Sequence, residues 1–203
     1  VKIVDLSTDF RHKREGNDFL YGLPEMNKEA IKTTKYIANP GCFATCIQLG
    51  VLPLAKNGLL TDELHITAVT GSTGAGQNPT KTSHFSWRDN NMSVYKAFEH
   101  QHLVEIKQSL GQLQTGFDKD VNFVPFRGDF TRGIIASIYL TTDKSVEEIQ
   151  ALYKEYYQDA PFTHVVDENP NLKQVVNTNN CLVYVQKYGN KIHIMSIIDN
   201  LVK

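Results

Sequence analysis

The sequence predicts an α+β fold: a mixed, mostly antiparallel sheet covered by a few helices. Two observations lead there. Near the start, a brief strand, a Pro-Gly turn and a long apolar helix follow one another in α/β order. From Val121 onward, strand-length apolar runs dominate and one helical stripe interrupts them. With 203 residues, 41% of them hydrophobic, the chain can bury the core of one large domain, or of a small one plus part of another.

The elements follow in order. Val1 to Val4 reads as a strand, Arg11 to Asn17 as a polar loop, and Gly22-Leu23-Pro24-Glu25 as a turn leading into a short helix around Met26 to Lys32. Tyr36-Ile37-Ala38 is a brief strand broken by Asn39-Pro40-Gly41. From Cys42 the apolar residues run to Leu54, which suits a buried helix ending near Lys56-Asn57-Gly58. Leu64 to Thr70 is a strand, and the long polar stretch Gly71 to Asn91 reads as a functional loop. Leu103, Ile106, Leu110 and Leu113 recur at helical spacing, so His100 to Leu113 is an amphipathic helix. Strands are expected at Val121 to Phe126, Ile134 to Thr142, around Val175-Val176, at Cys181 to Val185 and from Lys191 to Ile198. Between them Ser145 and Glu148 form a capping box ahead of the stripe Val146, Ile149, Leu152, Tyr153 and Tyr156.

Charge and composition exclude several classes of partner. Basic residues number 21 against 22 acidic, a net charge of −1, so no global positive field would steer the chain onto nucleic acid or an anionic membrane. No apolar stretch approaches the ~18 residues of a spanning helix, and no signal-peptide pattern opens the chain. The three cysteines are an odd number in a chain too large to need disulfide staples, which favours a reducing, cytoplasmic setting. The apolar opening at Val1 and the strand-like close before Lys203 suggest ends cut from a larger protein.

The most informative segment is Asn39-Pro40-Gly41-Cys42-Phe43-Ala44-Thr45. A cysteine at a helix start lies beside unpaired backbone N–H groups and the positive end of the helix dipole, a setting that favours thiolate. The same N–H groups can hold an oxyanion. A lone cysteine is more often a small buried hydrophobe, but the turn reverses that reading here. Cys46, one helical turn on, and Cys181, in a strand, are read as packing residues; no second Cys or His pair supports a metal site.

His100-Gln101-His102 stands at a helix start, with Glu105 about one turn beyond His102 and so on the same face. An imidazole oriented by a carboxylate is what a general acid/base for a cysteine requires; the plain alternative is a polar helix start. His12, His65, His84, His164 and His193 are scattered without partners. Two arginine segments, Ser7 to Arg11 and Phe126 to Gly133, suit an anionic substrate through the planar guanidinium fork. Thr70 to Gln77 is a glycine-rich loop after a strand, open to a phosphate or a cofactor, yet it is neither a Walker A nor a G-x-G-x-x-G motif.

These segments together resemble the N-acetyl-gamma-glutamyl-phosphate reductase family. The likeness rests on Asp5 to Arg11, Tyr21-Gly22-Leu23-Pro24-Glu25, Ala38 to Thr45, Gly71 to Gly76, His100-Gln101-His102 with Glu105, Arg132-Gly133-Ile134, and Asp199-Asn200-Leu201-Val202-Lys203. It implies reduction of an acyl phosphate in arginine biosynthesis: Cys42 as nucleophile, NADPH as hydride donor, and His100 or His102 moving the proton, with His102 favoured because it shares a face with Glu105. It further implies substrate contacts from Arg11, Arg132, Glu105 and Asn39, and cofactor contacts from Gly74, Ala75, Gly76 and Asn200.

The family also has a Gly-rich nucleotide-binding segment before, and a Gly/Ala-rich helix after, the part matched here. Residues 1–40 are therefore expected to be the end of a Rossmann-type NADP-binding domain, and residues 41–203 a catalytic and dimerisation domain. Alone, the chain is expected to bind NADPH poorly and to turn over little. A homo-oligomer formed through the sheet is expected. Cys46 stands where the family usually has Gly or Ala, and Phe126 where many members carry histidine, which leaves the N-acyl group open between acetyl and succinyl. The alternatives are an aspartate-semialdehyde dehydrogenase-like reductase, a cysteine hydrolase or acyltransferase, and a non-catalytic dimerisation module.

Overall fold

A computed structural model describes residues 1–203. Residues 1–40 build a small parallel sheet of β1 (Ile3–Asp5), β2 (Leu20–Tyr21) and β3 (Tyr36–Ala38) in the order β1-β3-β2, with α1 (Pro24–Thr33) crossing between β2 and β3. β3 ends at Asn39-Pro40, where proline stops the strand and the chain turns through Gly41 into α2 (Cys42–Lys56).

The remainder is one seven-stranded sheet and its cover. After α2 come β4 (Leu64–Thr70), the one-turn α3 (Phe85–Arg88), β5 (Ser93–Val94), α4 (His102–Leu113), β6 (Val121–Arg127), β7 (Ile134–Thr141), α5 (Val146–Tyr157), β8 (Thr163–Val166), β9 (Cys181–Tyr188) and β10 (Lys191–Ile198). The strand order is β5-β6-β4-β7-β10-β9-β8; β4-β6 and β8-β9 are parallel and the other four pairings antiparallel. The fold is the expected α+β arrangement.

Alternation along the strands decides which face is covered. Leu64, Ile66 and Ala68 on β4, and Ile134, Ala136, Ile138 and Leu140 on β7, point into the layer beneath α2, α4 and α5. His65, Thr67, Ser137 and Tyr139 point the other way, onto a face no helix covers, where the His65 and Tyr139 rings stack 5.0 Å apart. No helix of the chain is long and apolar enough to cross a membrane.

α2 is buried almost throughout and lies across β7 and β10. Gly50 permits the approach: a Cβ there would come within 2.7 Å of Ile138 Cδ1. Pro53 lies inside the same helix, and its missing N–H leaves the Leu49 carbonyl without its i+4 donor. Tyrosine hydroxyls from α5 repair the gap. Tyr157 donates to Leu49 O and Tyr153 to Gly50 O, each at 2.5 Å. α5 itself starts as expected: Glu148 N donates to Ser145 Oγ at 3.1 Å, and Ser145 N to Glu148 Oε2 at 2.8 Å.

The strand read at Val1 to Val4 lies at Ile3–Asp5, the short strands β2 and β5 were not expected, and three larger differences stand beside them. The expected strand at Val175-Val176 is a turn, because Asn171 caps a 3-10 turn over Leu172–Gln174 by accepting from Lys173 N; Val175 is buried as a turn residue. The edge strand is β8 instead, pairing parallel to β9. The stretch Gly71 to Asn91 is not structureless: it holds 3-10 turns at Ser72–Ala75 and Lys81–Ser83 as well as α3. Arg88 stitches it, donating to Thr82 O, Asn91 O, Ser93 Oγ and Arg127 O.

Candidate active site

The turn into α2, the start of α4 and the loop after β1 meet around one carboxylate. Glu105, on the first turn of α4, is 1% exposed. Its Oε2 accepts from Gly41 N and from the Tyr21 hydroxyl, each at 2.9 Å, and its Oε1 lies 3.2 Å from Arg11 Nη1. Gln48 Nε2 donates in turn to the Tyr21 oxygen at 2.8 Å and to Ala44 O. A buried charge needs such a set of partners, since one left unpaired costs several kcal/mol.

His102 is fixed against the same turn. A Cβ on Gly41 would lie 2.3 Å from His102 Nε2, so only glycine admits the imidazole there. His102 Nε2 is 3.9 Å from Glu105 Oε1, which agrees with the one-turn spacing read from the sequence. Its Nδ1 is buried and without a partner. His100 packs edge-on to His102, with ring centroids 4.6 Å apart, and its Nδ1 accepts the His102 backbone N–H at 3.2 Å. α4 begins at His102 with Gln101 as its N-cap residue, and the His100 ring, one residue further out, takes up the first N–H of the helix.

Both imidazoles are held neutral. Burial lowers the His102 pKa to about 3, with the positive potential of His100, Arg11 and Lys96 adding to it. Burial, then Lys96 and Arg127, lowers His100 to about 4.

Cys42 is partly buried at the first position of α2. The expectation of a depressed thiol pKa is corrected here. Burial raises it, and the opposing contributions of the Phe43 and Cys42 backbone N–H groups and of Arg11 are smaller. The thiol needs a base to ionise it. Cys46 and Cys181 are packing residues as expected, both fully buried against Ser196, to whose carbonyl the Cys46 thiol donates at 3.1 Å.

The remaining candidates, Asn39 excepted, occupy a second cluster. Asn200 accepts from Gly133 N at 2.7 Å and donates to Thr73 Oγ1 at 3.0 Å, which ties the turn after β10 to the glycine-rich loop. A Cβ on Gly74 would approach Thr70 Oγ1 to 3.1 Å, and that hydroxyl is buried without a partner. Gly76 has φ +81° and open space around its Cα; Ala75 ends the 3-10 turn between them. Arg132 donates to Asn177 Oδ1 at 3.0 Å and lies 3.6 Å from Asp199 Oδ2. Asn39 is exposed at the end of β3, its amide donating to the Pro40 carbonyl. A cleft of about 660 Å³ runs from Asn39, Pro40 and Thr45 to Glu25, Phe162 and Lys203, and it does not include Cys42 or His102.

Three residues of the site were not singled out from sequence, Tyr21, Gln48 and Tyr95, whereas Arg127 falls within the arginine segment Phe126 to Gly133. Gln48 carries a readable signal, a lone amide in an otherwise apolar buried helix. Tyr95 carries none, because it meets Arg127 only through β5-β6 pairing.

The model of the semialdehyde dehydrogenase dimerisation domain matches residues 42–200. Among curated proteins, the chain is 59% identical over 203 residues to the N-acetyl-gamma-glutamyl-phosphate reductase of Bacteroides thetaiotaomicron, covering 100% of the chain and 63% of that protein. It is 58% identical to the reductase of the same name from Christiangramia forsetii, with the same coverage. The chain thus spans about 63% of the length of the curated relatives it matches. Among solved structures, aspartate semialdehyde dehydrogenase II of Vibrio cholerae superposes with a TM-score of 0.71 at 14% identity, over 98% of the chain and 68% of that structure. A probable aspartate-semialdehyde dehydrogenase from Pseudomonas aeruginosa gives 0.73 at 13% identity, over 100% and 68%. At those identities the likeness is one of fold.

Proposed function

The chain belongs to the semialdehyde dehydrogenases through their dimerisation domain, and from that premise we propose that it carries the catalytic half of an NADPH-dependent N-acyl-gamma-glutamyl-phosphate reductase of arginine biosynthesis. The observation that carries the reading is the shared carboxylate: Glu105 holds the Gly41 amide on one oxygen and faces His102 with the other, so the nucleophile's turn and the base move as one body.

The side chains then take these roles. Neutral His102 accepts the Cys42 thiol proton in concert with attack, so that no free thiolate has to form, and Glu105 lies beside the developing imidazolium. Cys42 Sγ bonds to the acyl carbon, phosphate leaves with the C–O bonding pair, and a thioester on Cys42 results. Backbone N–H groups at the start of α2 face the oxygen that gains charge. When bound, NADPH supplies the hydride that reduces the thioester. As the C–S bond breaks and the aldehyde departs, His102 returns its proton to Cys42 Sγ and the thiol is restored.

The loop Gly71–Gly76, with Thr70, Thr73 and Asn200, suits the nicotinamide end of that cofactor: Gly74 leaves room that a side chain would fill, beside the unpartnered Thr70 hydroxyl. Most of the cofactor's contacts are assigned to a nucleotide-binding domain outside these residues, with 1–40 as its final part and 41–203 as the catalytic and dimerisation domain. A second copy of the chain covers the bare sheet face around His65 and Tyr139.

The test is acyl-enzyme trapping. Full-length enzyme exposed to the acyl phosphate without NADPH should gain one N-acyl-glutamyl mass at Cys42, and Cys42→Ser should not. An adduct elsewhere, or none, overturns the reading. Aspartyl phosphate as a competing substrate separates it from an aspartate-semialdehyde dehydrogenase.

A further inference from the structure

The arginines around this site differ in what holds them. Arg11 is buried in its ion pair with Glu105, and Arg132 is paired with Asp199 and Asn177. Arg88 places its guanidinium on three backbone carbonyls and one hydroxyl. Arg127 alone among these four has neither a carboxylate nor a carbonyl for its guanidinium. It forms no ion pair, and its buried Nε has no hydrogen-bond partner.

Arg127 is nevertheless held in place. It is the last residue of β6, registered against Thr70 of β4 on one side and Ser93 of β5 on the other. Its carbonyl accepts from Arg88 Nη1 at 2.6 Å, and its guanidinium carbon sits 4.5 Å from the centre of the Tyr95 ring. Stacking on an aromatic face leaves the edge of the fork free for a planar oxyanion. The position is also on the catalytic side: Tyr95 packs 5.8 Å from His100, which packs on His102, and Thr70 opens into the glycine loop.

We propose that Arg127 is the guanidinium that anchors an oxyanion of the substrate at the Cys42 site. This rests on the reductase reading above. Such a substrate carries two groups of the required chemistry, the phosphate and a carboxylate, and either would make a charge-assisted, bidentate pair with the fork.

The reaction run towards acyl phosphate separates the two, because phosphate and the semialdehyde are then independent substrates. In the full-length enzyme, Arg127→Met should raise the KM of one of them roughly 10- to 100-fold, the loss expected for a hydrogen-bonded charge partner. Arg127→Lys should restore part of it. A rise for inorganic phosphate identifies the phosphate anchor, and a rise for the semialdehyde identifies the carboxylate anchor. Unchanged KM values, or a fall in kcat alone, in variants that keep the parent's unfolding midpoint would overturn the proposal. Absence of any turnover in the unsubstituted enzyme would instead overturn the reductase reading.

Discussion

The backbone amide of Gly41 donates to Oε2 of Glu105 at 2.9 Å, a contact between residues 64 positions apart. It joins the turn that presents Cys42 to the helix that presents His102. Tyr21 from the small sheet and Arg11 from the loop after β1 close on the same carboxylate.

Removing that carboxylate should therefore harm both stability and chemistry. Glu105→Ala leaves Arg11 as a buried, unpaired cation, and a loss of about 3–5 kcal/mol in urea unfolding is expected. Tyr21→Phe removes one neutral donor and should cost about 1 kcal/mol. A Glu105→Ala variant as stable as its parent would contradict the arrangement.

Gly41→Ala should disable the site with little effect on the sheet. The new methyl meets His102 Nε2 at 2.3 Å, so the imidazole must leave its place. Misplacing a catalytic group by about 1 Å costs on the order of 100-fold in rate. The measurement is kcat of the full-length enzyme beside its thermal midpoint, with kcat falling and the midpoint moving little.

The buried histidines set an acid limit. The folded protein holds His102 near pKa 3 and His100 near 4, against 6.5 for the exposed imidazole. Below pH ~6.5 the unfolded chain binds protons that the folded chain refuses, so stability is complete above that pH and declines as pH falls towards 4. His102→Asn should flatten part of the decline between pH 6.5 and 4 in urea titrations, and an unaltered slope would refute the assignment.

Iodoacetamide should distinguish the three thiols by burial. Cys42 is partly accessible with a raised pKa, so its labelling should climb only above pH ~8.5, the ordinary thiol value. Cys46 and Cys181 should label only on unfolding. Fast labelling of Cys42 at pH 7 would show that the helix start outweighs burial after all.

Tyr157→Phe should cost about 1–3 kcal/mol by leaving the Leu49 carbonyl unpaired. The penalty should shrink when Pro53→Ala restores a backbone donor to that carbonyl. A double-mutant cycle by urea unfolding measures the coupling.

Much of this was legible in the chain. Leu64–Thr70 and Tyr36–Ala38 were bounded to the residue because alternation and flanking breakers agreed, and the Ser145-Glu148 box marked α5. Cys42, His102 and Glu105 were readable because turn and helix spacing are local properties. The stacking of Arg127, itself part of a segment read as suited to an anion, on Tyr95 was not, since nothing within either segment foretells that β5 and β6 lie side by side. Val175 misled because its burial comes from a capped turn rather than a strand. The Cys42 thiol misled because helix-end geometry is local, whereas the burial opposing it is built by the whole fold.

Pro53 bears on the order in which this helix acquired its residues. A chain with proline at 53 and phenylalanine at 157 would bury a carbonyl with nothing to meet it, whereas tyrosine at 157 facing an intact helix does no harm. Placing the hydroxyl before the ring avoids that penalty of about 1–3 kcal/mol. Once both were in place, reverting the tyrosine became the costly step. The pair works as a ratchet: with proline at 53, the tyrosine at 157 can no longer be given up without cost.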